Sequence, residues 1–167
     1  EVPSRGLGDV YKRQVMAADG YSRISMRKKF GVVAVQSQAG AENAMGGIAQ
    51  AAADNIPILI LLGGNSLDQI SVKPNFNAVQ KYQGWVKQVE AIYSPTQVGA
   101  VMRRAFNALK NGPPGPVVVE MTTDVCQQNV PEEYQNYKSP SYSLQVPNTN
   151  EIAKAIELWQ KARKPVI

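Results

Sequence analysis

Apolar and polar positions fall into alternating blocks from residue 15 onward. Phe30 to Ser37, Pro57 to Leu62 and Pro116 to Met121 are short, largely β-branched runs, which predict strands buried on both faces. Trp85 to Ile92 alternates and predicts a fourth strand. Helical stretches lie between the strands. Val15 to Ile24 is the amphipathic tail of a helix. Residues 41–53 form a helix of small side chains, in which the pair Gly46-Gly47 costs helix stability and so predicts close approach of a neighbouring backbone. Gly63-Gly64-Asn65 is read as the stop of the second strand. A polar loop comes next over 66–75, and then a short helix near 78–83. Ser94-Pro95 opens a further helix, with serine as N-cap and proline at the first turn. Its residues Val98, Val101, Met102, Ala105, Phe106 and Leu109 share one face, and Asn111-Gly112 ends it. Strands alternating with helices predict an α/β fold, a parallel sheet flanked by helices. Ligands of such sheets bind at the carboxyl ends of the strands. Ser37 to Asn43, Gly63 to Asn65 and Thr122 to Asp124 are expected to converge there.

The two ends read differently. Residues 1–13 show no helical or strand period that joins onto the helix tail beginning at Val15. They resemble a translated adapter sequence and are set aside as a non-native scar. Residues 14–125 carry the α/β pattern. From Thr123 to Pro147 the chain is rich in proline, tyrosine and amides without a period, and 126–147 is assigned as a linker. Asn148 and Glu151 predict a capping box. Ile152, Ala155, Ile156 and Trp159 give another helical face, and Lys164 to Ile167 begins a strand. Residues 148–167 are therefore expected to start a second α/β domain that is cut short.

Composition removes several function classes. The net charge of +5 is scattered, and the densest group, Arg27-Lys28-Lys29, sits in a turn. Nucleic-acid binding calls for a basic stripe with interleaved aromatics, and none is present. The sequence has no histidine, which excludes His-based triads and most zinc sites within this stretch. No run reaches the 18 or so apolar residues of a membrane span. The single cysteine, Cys126, cannot form an internal disulfide, so a cytoplasmic location is expected.

Four motifs then stand in register: Ala17-Ala18-Asp19-Gly20-Tyr21-Ser22-Arg23, Ser37-Gln38-Ala39-Gly40-Ala41-Glu42-Asn43-Ala44, Asp54-Asn55-Ile56-Pro57, and Gly112-Pro113-Pro114-Gly115-Pro116-Val117. Together they resemble the N-terminal pyrimidine-binding domain of thiamine-diphosphate-dependent enzymes of the acetolactate-synthase type. The resemblance covers Val15 to Val125, and Lys154 to Ile167 is similar to the start of that family's central domain.

The resemblance implies thiamine diphosphate with Mg2+ as cofactors, a 2-keto acid substrate, and carbon–carbon bond cleavage or formation. The full-length protein would be a transferase or lyase, and the fragment alone inactive. The metal ligands would lie in a C-terminal domain outside this chain, leaving no metal ligand here. Flavin stays an open question. The resemblance also implies a homodimer or homotetramer, because the pyrimidine ring sits on one subunit and the diphosphate on its neighbour. It assigns Gln38, Ala39, Gly40 and Asn43 to the pyrimidine seat, where the family has Gly-Pro-Gly-Ala-Thr-Asn. Gly40 and Asn43 match that pattern, whereas Gln38, Ala39 and Glu42 depart from it. A turn and helix cap explains these residues as well. Phe76 and Asn77 align with a Phe-Gln pair beside the substrate, although Phe76 reads equally as core. Gly64 stands where the family has a glutamine, and Thr123 where it has a lysine. The family's catalytic glutamate falls on Tyr11. A phenol with an ordinary pKa near 10 is protonated and does not replace a carboxylate, so no catalytic residue is assigned. Two other readings stay open: a stand-alone pyrimidine-domain subunit of a two-chain decarboxylase, and a non-catalytic α/β binding module.

Overall fold

A computed structural model describes residues 7–26, 28–143 and 146–164, with side chains from residue 10. Helix α1 spans Leu7–Ile24 and strand β1 Gly31–Val35. Helix α2 (Ala39–Ala53) leads to β2 (Ile58–Gly64). The short α3 (Ala78–Tyr82) precedes β3 (Gln88–Ile92). Helix α4 (Val98–Lys110) leads to β4 (Val117–Thr122). One helical turn, α5 (Thr123–Cys126), and a last helix, α6 (Thr149–Lys161), complete the order.

The four strands form one sheet in the order β1-β2-β4-β3, with every pairing parallel. This is the predicted α/β architecture. Alternate residues of each strand face opposite layers. Val33, Val35, Ile58, Ile60, Leu62 and Val118 pack with α1, α2 and Tyr82 of α3. Leu59, Val117, Val119 and Ile92 pack with Val101, Ala105 and Leu109 of α4. The central strands β2 and β4 are buried on both faces, as expected. Strand β1 is not. It lies at the sheet edge, and Val32 is 54% exposed because, among the described residues, no helix covers its second face.

The structure corrects several expectations. Helix α1 is described from Leu7 and runs without a break through residue 13. The helical period does join: Tyr11 packs against the core that holds the buried Val15 and Ala18, and Ser22 continues the same stripe. The glycines at 63 and 64 do not stop β2 but form its last two residues. Ser94 makes no side-chain cap, and a 3-10 turn over Pro95–Gln97 precedes α4. The capping box at α6 is only half made. Asn148 accepts a hydrogen bond from the Asn150 N–H at 2.9 Å, but Glu151 turns to Lys154. The strand expected from Lys164 falls on residues 165–167, outside the described residues.

Linker composition conceals a strap. The Lys110 ammonium donates to Ser139 Oγ (2.7 Å) and to the Pro140 carbonyl (2.8 Å). Asn111 binds the backbone of Ser141 and Ser143, and the Tyr142 hydroxyl donates to the Lys28 carbonyl. Helix α6 beyond it presents Ile152, Ile156, Leu158 and Trp159 to solvent.

Two of the four motifs are structural. The Ser22 hydroxyl lies within 2.7 Å of the Pro57 carbonyl and 3.1 Å of the Ala18 carbonyl, and it accepts from the Gly31 N–H at 2.8 Å. Arg23 ties Asp19 (2.8 Å) to Asp54 (2.5 Å), joining the carboxyl ends of α1 and α2. A Cβ at Gly31 would stand 2.2 Å from the Ala18 carbonyl oxygen, so only glycine allows this helix–strand contact. Gly47 fulfils the predicted close approach, since its Cβ would lie 2.9 Å from Val15 Cβ.

Candidate functional site

The segments after the strands meet at the carboxyl edge of the sheet, as expected. Ser37–Gly40 forms a tight turn between β1 and α2, in which the Gly40 N–H points to the Ser37 carbonyl at 3.4 Å. Gln38 takes φ 56° and ψ −114°. This is the first central position of a type II′ turn, which normally requires glycine. Its side-chain amide spans two other segments. Nε2 donates to Asn65 Oδ1 at 2.7 Å, and Oε1 accepts the Phe76 N–H at 3.0 Å. After β4, the Asp124 carboxylate accepts the Leu67 N–H at 2.6 Å, and Thr123 Oγ1 donates to the Gly64 carbonyl at 2.9 Å. The ends of β1, β2 and β4 are thereby tied to the loop that carries Phe76.

Other predicted residues take distinct places. Gly40 is buried, and a Cβ there would meet Gln36 Cβ at 2.9 Å and the Tyr11 ring at 3.4 Å. Ala39 is exposed at the start of α2. Asn43 is exposed, and among the described residues its side chain makes no hydrogen bond. Phe76 serves in part as core. It is half-buried and meets Tyr82 edge-on, with ring centroids 6.3 Å apart. Asn77 caps α3 by accepting the Gln80 N–H at 2.9 Å. Glu42, Lys73, Phe76, Asn77 and Lys81 line an open cavity of about 520 Å³ beside this turn. Tyr11 sits at the same edge on α1, and its hydroxyl donates to Gln36 Oε1 at 2.7 Å.

Three contributors were not singled out from sequence. Gln36 and Asn65 matter only as partners of Tyr11 and Gln38, so nothing local marks them. Glu120 did carry a signal, because a lone acid inside the run Val-Val-Val-Glu-Met has to be buried. It is 8% exposed, and burial pushes its carboxyl above the usual carboxylate range. The missing Cβ of Gly64 makes room for it, since a Cβ would stand 2.9 Å from Glu120 Cγ.

Comparison with known proteins bears on the family. Residues 12–91 match the family described as thiamine pyrophosphate enzyme, N-terminal TPP binding domain. Over that stretch the chain is similar to the thiamine pyrophosphate enzymes. Among them it is acetolactate-synthase-like. It is 33% identical over 165 residues to the acetolactate synthase large subunit of Haemophilus influenzae, covering 92% of this chain and 27% of that protein. It is 31% identical to the acetolactate synthase isozyme 3 large subunit of Escherichia coli, with the same coverage. The chloroplastic acetolactate synthase 2 of Nicotiana tabacum is 28% identical, with 92% of this chain and 24% of that protein covered. The chain thus spans about a quarter of the length of these relatives.

In a thiamine pyrophosphate enzyme the cofactor supplies the electron sink for chemistry next to a carbonyl. The position to which the resemblance assigns a catalytic glutamate holds Tyr11, a phenol that donates to Gln36 and cannot act as a carboxylate. No catalytic step is therefore assigned to these residues. Among the described residues no group of three acidic, cysteine or histidine side chains is placed to hold a metal ion. No helix among them is long and apolar enough to cross a membrane.

Proposed function

We propose that this chain is a piece of a longer enzyme that uses thiamine diphosphate to cleave or form a carbon–carbon bond next to the carbonyl of a 2-keto acid. These residues supply the seat for the cofactor's pyrimidine ring, through the Gln38–Gly40 turn and Asn43. Phe76 and Asn77 stand on the substrate side. The observation that carries this reading is the tying of three post-strand segments at one sheet edge by Gln38 and Asp124, in a chain similar to this family. Mg2+ and the diphosphate would be held by other parts of the assembly. A cytoplasmic homodimer or homotetramer is the matching assembly. In support, the uncovered face of β1 and the neighbouring α1 present Met16, Tyr21, Ile24 and Val32 to solvent.

The test has two parts. Isothermal titration of the 167-residue chain with thiamine diphosphate and Mg2+ is expected to show weak or undetectable binding. Tight, Mg2+-dependent binding would sink the idea that this is half a seat. The gene is then read through both ends of the frame, and the longer product is assayed with pyruvate and other 2-keto acids. Cofactor-dependent consumption is expected if a glutamate stands nine residues before Gly20. Its absence in a folded product with that glutamate overturns the proposal. The second reading, a non-catalytic module, draws on the Tyr11–Gln36 hydrogen bond. It becomes the better account if Tyr11 is encoded by the genomic frame.

A further inference from the structure

Gln38 combines two features that seldom coincide. Its backbone has a positive φ of 56°, a conformation that side-chain-bearing residues occupy at a cost, and such outliers persist where surrounding contacts hold them. Its side chain is also fully engaged at both ends of the amide, with Asn65 and with the backbone of Phe76. A glycine at 38 would satisfy the turn better. The side chain that stands there instead makes contacts the turn does not need.

We propose that Gln38 is a positioning residue, whose amide clamps the β1–α2 turn to the end of β2 and to the loop before α3, and so sets where Phe76 and Asn77 stand at the carboxyl edge. Reach along the chain supports this. Phe76 lies 38 residues from Gln38 and Asn65 lies 27 away, so this amide links three chain segments. The Phe76 N–H takes Gln38 Oε1 as its acceptor, and α3 with its Asn77 cap comes directly after. Gly64, next to Asn65, has no side chain to bridge the same gap, and the adjoining space is filled by Glu120. The linking amide thus comes from the β1 turn, in a position that makes its backbone adopt a glycine conformation. This inference rests on the proposed function only for the meaning of Phe76 and Asn77 as the substrate-side pair.

The experiment is amide hydrogen exchange by NMR on the 167-residue chain, together with urea unfolding, for Gln38→Gly, Gln38→Asn and Gln38→Glu. Gln38→Gly removes the clamp and the backbone strain together. The expected result is a urea midpoint equal to or above that of the parent, with exchange of the Phe76 amide at least about tenfold faster. A purely structural residue would lower the midpoint and the local protection together, and that outcome overturns the proposal. So does a Phe76 exchange rate within about twofold of the parent. Gln38→Asn is one methylene too short to span both partners and is expected to lose protection at Phe76. Gln38→Glu keeps an acceptor for the Phe76 N–H, and the Asn65 amide can turn to donate to it. Protection within about threefold of the parent is expected there, and loss equal to that of the glycine variant counts against the clamp. No cofactor or keto acid enters these measurements, so their failure is separable from failure of the enzymatic reading.

Discussion

Replacing Ser22 by alanine removes one oxygen at the point where α1, β1 and the α2–β2 connection meet. Ser22 is fully buried. Its hydroxyl accepts the Gly31 N–H at 2.8 Å and reaches the Pro57 carbonyl at 2.7 Å. The Ala18 carbonyl keeps its helical partner, so that loss is small. Two backbone groups would be left without a partner in a dry interior. Each such group costs about 1–3 kcal/mol. Alanine returns about 0.5 kcal/mol through its better helix propensity. The net loss is about 1.5–5.5 kcal/mol. With a urea m-value of about 2 kcal/mol/M, the midpoint falls by roughly 1–3 M at unchanged slope. Denaturation followed by circular dichroism reads this directly. A loss below about 0.5 kcal/mol would show that water or a backbone shift satisfies both groups, and the account of the motif as a three-way staple would fail.

Two further perturbations test other parts of the structure. Burial raises the Glu120 carboxyl above its unfolded pKa, so the folded state holds a proton that the unfolded state has lost. Stability is then greatest below the unfolded value and falls as pH rises through the folded one. Glu120→Gln should flatten that fall in urea titrations across the range and be more stable than the parent at about pH 8; a parallel curve refutes the assignment. Gly20 and Gly47 both lie in helices but should respond oppositely to alanine. Gly20 has nothing within 4 Å of the added Cβ and gains about 0.5–1 kcal/mol. Gly47 would press on Val15 and loses about 1–3 kcal/mol, so a thermal melt of each variant should show opposite shifts in Tm.

The layered fold was legible because burial writes itself into residue type. The central strands read as continuous β-branched runs, and the α4 face as a 3.6-residue stripe. The uncovered face of β1 was hidden, since Gly-Val-Val-Ala-Val looks the same whether or not a helix covers it. The stretch before Val15 was misjudged as aperiodic because its stripe rests on few residues, of which Tyr11 is the one seen against the core. The glycines ending β2 read as a stop by propensity, and tertiary fit to Ser37 and Glu120 kept them in the strand. At the site, the sequence pointed to the turn at Gly40 and to Phe76, but hydrogen-bond pairs such as Gln38 with Asn65 have no local pattern. The strap escaped notice for the same reason, as its bonds join residues about 30 apart and, at Lys28, 114 apart.

That strap determines where the rest of the polypeptide departs. It leaves β4 at the carboxyl edge, then is pinned at Asn111 and Lys28, which lie just ahead of β4 and β1. The chain has therefore crossed the full height of the sheet, about 20 Å for strands of this length, before α6 begins. At Ser143 the strap stands at the edge opposite Gly40, Asn43 and Phe76, where it laces together the amino ends of β4 and β1 and leaves their carboxyl ends untouched.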